Sequence, residues 1–378
     1  MTENRNIKKN DKKRDPRFHI VKRDVLIWYK ALGIRITAIL MALVVCGVIT
    51  TITTGINPIK VYESMFAGAF GSTRKTWITL QNTSILLMIA LALTPAFKMK
   101  FWNIGGEGQV LIGGLATAVC MIWLDGKVSN AVMIICMILA SVTAGMIWGL
   151  IPALFKAKWN TNETLSTLMM NYIATQLVAF FIILEEVPKG SGKIGIINQN
   201  SNTGWLPQLF GSKYLLTIVV AVIITLFMAV YLIYTKHGYE ISVVGESENT
   251  ARYVGIKVQK VIIRTMMLSG AICGLAGLLL VGGINHTITT TIAGGEGFTA
   301  VLVSWMSKFN PFTMILSSML IVFMERGAGE ISTNFGLNHS YSDILTGIIL
   351  FFIIGCEFFI TYQLQYCKKT EKKEEEVA

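Results

Sequence analysis

The chain contains 378 residues, of which 53% are hydrophobic and 15% are charged, and its mean hydropathy is +0.58. That composition excludes a soluble domain whose surface faces water. The formal net charge of +11 would suit a nucleic-acid partner in a soluble protein, but here the basic residues lie beside apolar runs. They therefore indicate the flanks of membrane helices, and we predict an integral membrane protein that binds no nucleic acid.

Ten apolar segments follow a charged N-terminal tail. They lie at about 36–55, 77–97, 103–124, 129–152, 164–184, 214–235, 261–283, 297–307, 311–327 and 343–363. The first is too long and too far from the N-terminus for a cleaved signal peptide. Arg17–Leu32 mixes aromatic, aliphatic and charged residues and predicts an interfacial helix. We assign 1–35 to a cytoplasmic tail with that helix, 36–365 to the transmembrane domain and 366–378 to a cytoplasmic tail.

The distribution of lysine and arginine predicts the orientation of these segments. With the N-terminus inside, 24 of the 33 basic residues fall on the cytoplasmic side. This bias follows the positive-inside rule and requires an even number of crossings. We therefore expect a multi-pass protein of the plasma membrane of a prokaryote, with both termini in the cytoplasm.

The tetrapeptide Gly-Gly-Glu-Gly occurs twice, at 105–108 and at 294–297. Each copy opens the third apolar segment of one half of the chain, and the two copies begin on opposite sides of the membrane. Glycine-broken segments at matching places in two halves are typical of an inverted repeat with a transport pathway at its interface. The fold prediction is an all-α integral membrane protein of about ten transmembrane helices, arranged as two inverted five-helix repeats with broken third helices.

Polar residues beside the glycines are the candidates for a substrate path. The predicted set is Asn103, Gly105, Gly106, Glu107, Gln109, Asn171, Gly295 and Glu296. Under one interpretation they line the path, because an unsatisfied polar group in hydrocarbon needs water or protein nearby. Under the alternative, the glycines permit tight helix packing and the polar groups satisfy broken backbone or a neighbouring helix. Gln81 and Asn82, near the outer end of the second segment, are weaker candidates.

The connection at 236–260 is the largest loop on the predicted cytoplasmic side. Its stretch Glu246–Val254 contains helix-forming residues, and Ser247 is a candidate N-terminal cap. One interpretation is a short surface helix that docks a soluble partner, and the other is a solvated connector. The internal connection Phe155–Ser166 is expected to be short and polar.

Several kinds of chemistry are absent from the sequence. It contains no phosphate-binding loop of the G-x-x-x-x-G-K-[ST] type, no Ser/His/Asp arrangement and no H-E-x-x-H motif. The six cysteines lie in or beside apolar segments without metal-ligand spacing, so they indicate packing thiols. We therefore expect no catalytic residue and no metal site. Few charges lie deep within the segments, which favours an external source of energy over a proton or sodium relay.

Five motifs in order resemble the permease subunits of ABC importers in the branched-chain amino acid, ribose and nucleoside superfamily. Phe101–Gln109 is similar to F-N-I-G-x-E-G-Q, and Asn162–Ile173 is similar to N-E-x-x-S-T-x-M-L-N-Y-I. Gly245–Ile256 resembles the family's cytoplasmic coupling loop, followed by the glycine-rich Ser269–Gly277 and then Gly295–Phe298. The first two motifs are most like those of the nucleoside branch, in which this chain resembles the longer permease.

The resemblance implies a non-enzymatic transport subunit of an ATP-driven importer, most similar to those for nucleosides. Its implied partners are a separate ATPase, a second homologous permease, and an extracytoplasmic binding lipoprotein that delivers a small-molecule solute. This chain would bind no cofactor, since ATP–Mg belongs to the ATPase. The implied coupling residues are Glu240, Gly245, Glu246, Glu248, Asn249, Ala251, Arg252 and Gly255. The alternatives are a permease for a monosaccharide or branched-chain amino acid, and a channel or secondary carrier that works alone.

The coupling loop departs from the family pattern at three places. Ser242 stands where the family usually has Arg, Ser247 where it has Asn, and Thr250 where it has Ala. These departures leave the family resemblance intact but bear on which ATPase the loop would fit.

Overall fold

A computed structural model of the chain describes residues 18–23, 27–55 and 57–366. These residues are mostly helical, and nine of their helices are long and apolar enough to cross a membrane. The prediction of an all-α, multi-pass integral membrane protein is confirmed. The helices are α1 (Trp28–Thr54), α2 (Pro58–Phe70), α3 (Thr73–Lys98), α4 (Gly106–Trp123), α5 (Asn130–Trp159), α6 (Glu163–Glu185), α7 (Leu215–Tyr234), α8 (Lys236–Glu246), α9 (Glu248–Tyr253), α10 (Val258–Leu278), α11 (Glu296–Met306), α12 (Pro311–Asn334) and α13 (His339–Thr361).

The ten predicted apolar segments correspond to nine crossing helices and one short helix. Segment 297–307 is α11, whose 11 residues extend for about 16 Å and so traverse about half of the hydrocarbon core. The helix cannot continue backwards because Gly294 and Gly295 have φ of +60° and +78°. In the other half, α4 begins only at Gly106, after four residues without regular structure. Both third helices are therefore interrupted at their glycine motifs.

The described residues 18–23, 27–55 and 347–366 form a compact unit of their own. Strand β1 (Phe18–Lys22) pairs antiparallel with β2 (Tyr362–Tyr366). Within this unit, Arg35 Nε donates a hydrogen bond to Glu357 Oε1 at 2.9 Å.

The interfacial helix predicted for Arg17–Leu32 is wrong over Phe18–Lys22, and the helix begins only at Trp28. The segment Phe-His-Ile-Val-Lys contains two β-branched residues, and its partner Tyr-Gln-Leu-Gln-Tyr alternates strictly between apolar and polar side chains. A period of two favours a strand over a helix. Arg17 and residues 24–26 lie outside the described residues, as do most of the two predicted tails, 1–16 and 367–378.

Helix α10 packs between α4 and α5 in the second compact unit, residues 56–346. Glycines allow their backbones to touch. A Cβ added at Gly113 would lie 2.4 Å from Gly274 Cα, and one at Gly145 would lie 2.1 Å from the Gly270 carbonyl oxygen. Close packing of this kind is typical of small residues at helix interfaces in membranes.

The packing of the broken helices is reciprocal. Helix α4, from the first half, packs against α10, whereas α11, from the second half, packs against α3. Since α3 and α10 hold equivalent positions before the two motifs, this exchange is the pairing that an inverted repeat predicts. Helix α10 ends in a π-helical segment, Leu279–Asn285, which the sequence did not suggest. Such segments are frequent at functional sites.

Three connections differ from the sequence expectation. The internal loop Phe155–Ser166 is mostly helical, because α5 runs to Trp159 and α6 starts at Glu163, where the Asn162 side chain accepts from Leu165 N at 3.1 Å. Helix α2 lies in the connection between the first two apolar segments, for which no helix was predicted. The connection 236–260, predicted to be cytoplasmic, forms two helices, α8 and α9, where one short helix was expected.

Candidate translocation pathway and coupling surface

The two Gly-Gly-Glu-Gly motifs are in direct contact. Glu107 Oε1 accepts a hydrogen bond from Gly295 N, and Glu107 Oε2 accepts one from Gly297 N, both at 2.9 Å. A carboxylate at this position satisfies amide groups that a helix start leaves without intrahelical partners, and it complements the positive end of the helix dipole. Glu107 therefore caps α11 from the opposite half of the chain, and the N-terminal ends of α4 and α11 meet.

Gly297 makes this contact possible. A Cβ added at Gly297 would lie 2.3 Å from Glu107 N and 2.8 Å from Glu107 Oε2. Gly106 is also closely packed, since a Cβ there would lie 3.2 Å from two carbons of the Leu93 side chain. By contrast, Gly295 has open space around it, and its role is the positive φ.

Asn103 and Gln109 are completely enclosed, with 0% and 1% of their surfaces exposed. Asn103 Nδ2 donates to Ser269 Oγ at 3.1 Å, and Asn103 Oδ1 accepts from Gly105 N at 3.0 Å. Ser269 Oγ in turn donates to Gln109 Oε1 at 3.3 Å. These two predicted path residues thus join the start of α4 to α10.

Asn171 joins the start of α4 to α6. Its Oδ1 accepts from Gly108 N at 2.8 Å, and its Nδ2 donates to the Ile104 carbonyl oxygen at 2.9 Å. Thr167 Oγ1 accepts from Ile104 N at 3.2 Å. A Cβ at Gly105 would lie 3.1 Å from Asn103 Oδ1 and 3.2 Å from Thr167 Cβ. Side chains therefore satisfy Ile104 N, Gly105 N, Gly108 N and the Ile104 carbonyl oxygen around the start of α4.

Glu296 lies apart from that network, in a cavity of about 390 Å³ on the side predicted to be external. We call it the outer cavity. Its polar and charged lining comprises Arg74, Gln81, Asn82, Lys213, Tyr214, Asn285, Glu296 and Arg326. Glu296 Oε2 is buried and has no hydrogen-bond partner within the described part of the chain. Of the predicted path residues, Glu296 is the one that lines this cavity, together with the weaker candidates Gln81 and Asn82.

Arg326 is oriented by Asn82 in the wall of the outer cavity. In the amide orientation that satisfies both groups, the Asn82 side-chain oxygen accepts from Arg326 Nε at 3.1 Å and also from Nη2. Tyr214 lies near the mouth and is parallel to Trp77, with ring centroids 6.4 Å apart. The sequence analysis did not select Arg326 or Tyr214, although an arginine near the end of a membrane segment is itself a signal for a polar cavity.

Helices α8 and α9 form the predicted coupling surface. Ser247 Oγ accepts from Thr250 N at 3.2 Å, which confirms the predicted cap. Arg264 Nη2 donates to Glu240 Oε2 at 2.9 Å and so joins α8 to α10. Burial by itself would raise the pKa of Glu240, but the hydrogen bond and charge of Arg264, with His237, hold that pKa below its usual value.

The remaining coupling residues divide into an inner and an outer set. Ala251 is buried, and a Cβ at Gly245 would lie 2.1 Å from the Lys98 carbonyl oxygen at the end of α3. The exposed positions are Glu246, Glu248, Asn249, Arg252 and Gly255. Beside them, Tyr253 is 93% exposed and Val254 is 57% exposed. Large apolar side chains on a polar surface helix mark a contact surface.

Comparison with known proteins identifies the family. Residues 76–354 match the family described as branched-chain amino acid transport system, permease component. The nucleoside ABC transporter permease NupB of Lactococcus lactis subsp. cremoris is 28% identical over 340 residues, covering 87% of this chain and 92% of NupB. The guanosine permease NupP of Bacillus subtilis is 28% identical over 314 residues, covering 81% and 88% of the two chains.

A third relative is named for a different solute. The glucose ABC transporter permease TsgB13 of Haloferax volcanii is 28% identical over 361 residues, covering 91% of this chain and 92% of TsgB13. Full-length similarity to three permeases, together with a family match across most of the membrane domain, leads to one conclusion: the chain belongs to the family of branched-chain amino acid transport system permease components.

Proposed function

We propose that this protein is a permease subunit of an ATP-driven ABC importer for nucleosides, and that it forms the translocation path together with a second permease. The observation that carries the proposal is the contact of the two broken helices through Glu107, Gly295 and Gly297. This contact joins the start of α4 in the first repeat to the start of α11 in the second. Breaking it would allow the two repeats to separate during transport. Two of the three relatives described above are named for nucleosides or guanosine.

The path would alternate between outward and inward access as the two repeats move relative to each other. A separate ATPase, which binds ATP–Mg, would dock on α8 and α9, and its closure would move α10 through the Arg264–Glu240 ion pair. Gly245, held against the end of α3, would transmit the same movement to the first repeat. Glu246, Glu248, Asn249 and Arg252 would form the polar part of that docking surface.

A heterodimer of permeases is favoured over a homodimer. Lactococcus lactis and Bacillus subtilis each contain a second relative, the nucleoside permease NupC and the guanosine permease NupQ, in addition to NupB and NupP. An extracytoplasmic binding lipoprotein would deliver the solute to the outer cavity. We place both termini in the cytoplasm on the distribution of basic residues.

A monosaccharide importer is the second candidate, and the glucose permease among the relatives favours it. Uptake of radiolabelled nucleosides, glucose and leucine by cells with and without this gene separates the two. Nucleoside uptake should disappear with the gene and return with a plasmid copy, whereas glucose and leucine uptake should not change. A gene-dependent uptake of glucose or leucine instead of nucleosides would overturn the nucleoside assignment.

Copurification of an ATPase tests the importer class. A tagged chain should retain an ATPase subunit, and replacing Glu248–Arg252 by a Gly/Ser segment should release it while leaving the permease in the membrane. Full uptake by that variant would contradict the assignment of α9 as the coupling element.

A further inference from the structure

Glu296 differs from other partly enclosed carboxylates of the second unit in having a buried oxygen without a donor. Glu107 accepts from two backbone amides, and Glu240 accepts from Arg264. Glu296 Oε2 is buried and has no partner in the part of the chain that the structure describes. A buried acceptor is strongly disfavoured when it has no hydrogen bond, and the outer cavity is the space beside Glu296 from which a donor can approach its carboxylate.

The outer cavity carries charges of both signs. Arg74, Lys213 and Arg326 are positive, and Glu296 supplies a carboxylate. A neutral solute with hydroxyl groups can use both, because hydroxyls donate to a carboxylate and accept from a guanidinium.

Gln81 adds a neutral donor and acceptor on the same cavity wall. Its side chain is only 4% exposed and contributes to the lining of the outer cavity. Asn82, one residue along, is already engaged by Arg326. The cavity volume of about 390 Å³ lies within the range of small-molecule sites.

We propose that the outer cavity is a recognition subsite for a neutral polyhydroxy ring, in which Glu296 accepts hydrogen bonds from two adjacent hydroxyls and Gln81 contacts the same solute. The inference rests on the proposed function, for which the ring is the ribose of a nucleoside. A monosaccharide carries the same chemistry. The position of Glu296 is significant, because the amides on either side of it are the ones that bind Glu107, so the solute would sit directly against the junction of the two repeats.

The test uses the complete importer in proteoliposomes, with the binding protein at saturating concentration and its own affinity for each solute measured separately. Initial rates are compared for a ribonucleoside and its 2′,3′-dideoxy analogue. Glu296→Gln should lower the ribonucleoside rate by about 10- to 100-fold, the usual effect of losing hydrogen bonds to a charged group, and should leave the dideoxy rate unchanged. An undiminished preference for the ribonucleoside in Glu296→Gln would overturn the proposal.

Two further variants keep the result interpretable. Glu296→Asp retains a carboxylate and should retain part of the preference, so equal behaviour of the Asp and Gln variants would also contradict the proposal. Glu330→Gln is the matched control, because Glu330 pairs with Lys75 at 2.8 Å and does not line the cavity. It should transport both solutes at the wild-type rates.

Glucose and leucine distinguish this proposal from the proposed function. If the importer carries glucose and Glu296→Gln slows glucose but not a dideoxyglucose, the nucleoside assignment fails and the hydroxyl subsite stands. If it carries leucine and Glu296→Gln slows leucine, Glu296 binds an ammonium group and the subsite proposal is wrong.

Discussion

The two Gly-Gly-Glu-Gly motifs share a sequence but differ in what their glutamates do. Glu107 accepts two backbone hydrogen bonds from the other motif, whereas Glu296 has a buried oxygen without a partner and lines the outer cavity. The difference arises from the donors available at each helix start. Asn103 Oδ1 and Asn171 Oδ1 already accept from Gly105 N and Gly108 N around the start of α4, and no α4 amide donates to Glu296 Oε2 within the described residues. We therefore assign a structural role to Glu107 and, under the proposal above, a solute-binding role to Glu296.

The flanking residues carry this asymmetry in the sequence. When the motifs are aligned on their glutamates, Asn103 of the first corresponds to Ile292 of the second, and Gln109 corresponds to Phe298. The second motif thus has no side-chain amide at either of these positions. The Ile292 side chain cannot accept a hydrogen bond, and the amide groups at the start of α11 are bound instead by the Glu107 carboxylate from the other repeat.

Among the variants that test this difference between the motifs, removal of the Glu107 carboxylate should have the largest effect on stability and uptake. Glu107→Ala leaves Gly295 N and Gly297 N without an acceptor, at an expected cost of about 3 kcal/mol. We expect early thermal inactivation of the purified importer and loss of uptake. Glu185→Ala is the matched control, because its carboxylate accepts from Trp123 Nε1 at an exposed site. Equal thermal stability of the two variants would show that the cap on α11 is dispensable.

Asn171→Ala should have the next largest effect, because it removes the acceptor for Gly108 N and the donor to the Ile104 carbonyl oxygen. We expect a loss of about 2 kcal/mol of stability. The solute preference of the remaining transport should be unchanged, since Asn171 does not line the outer cavity. A changed ratio of ribonucleoside to dideoxynucleoside rates would instead place Asn171 on the substrate path.

The sequence was sufficient to predict the membrane helices and the two interruptions, because runs of apolar residues and clustered glycines are local signals. It also predicted the cap at Ser247. It could not decide whether Asn103 and Gln109 face a solute or the backbone, because both interpretations require a polar group beside a broken helix. That choice depends on Ser269, 166 residues from Asn103 along the chain.

Two other elements that differ from the prediction, α2 and the β1–β2 pair, carry local signals in the sequence. Asn57 and Pro58 form a cap followed by a first-turn proline, the usual start of a helix, and α2 begins there. The period-two pattern in Tyr362–Tyr366, the partner of Phe18–Lys22, is a strand signal. The π-helical end of α10 had no such signal, because its hydrogen-bond pattern leaves no fixed spacing in the side chains.

Alanine at Gly294, the residue before the N-terminal cap of α11, should have a smaller effect on stability. Gly294 has φ of +60° and no atom within 4 Å of an added Cβ, so Gly294→Ala introduces backbone strain without a steric clash. The expected cost is about 1 kcal/mol. Gly329, within α12, also has open space but has no positive φ, and alanine there should stabilise the helix by a similar amount. Thermal inactivation should therefore shift in opposite directions, and a shift in the same direction would contradict the backbone assignment.

Thiol labelling tests the difference between the two motifs most directly, and its variants should change the stability of the protein least. In a cysteine-free chain, Glu296→Cys should react with a polar thiol reagent added from outside, because the reagent can reach the outer cavity through water. Gln109→Cys should stay unreactive in the same state, because that side chain is enclosed between helices. Transported nucleoside should slow labelling at 296. Equal labelling at both positions would place Gln109 on the same aqueous path, and no labelling at 296 would show that the outer cavity is closed to solute.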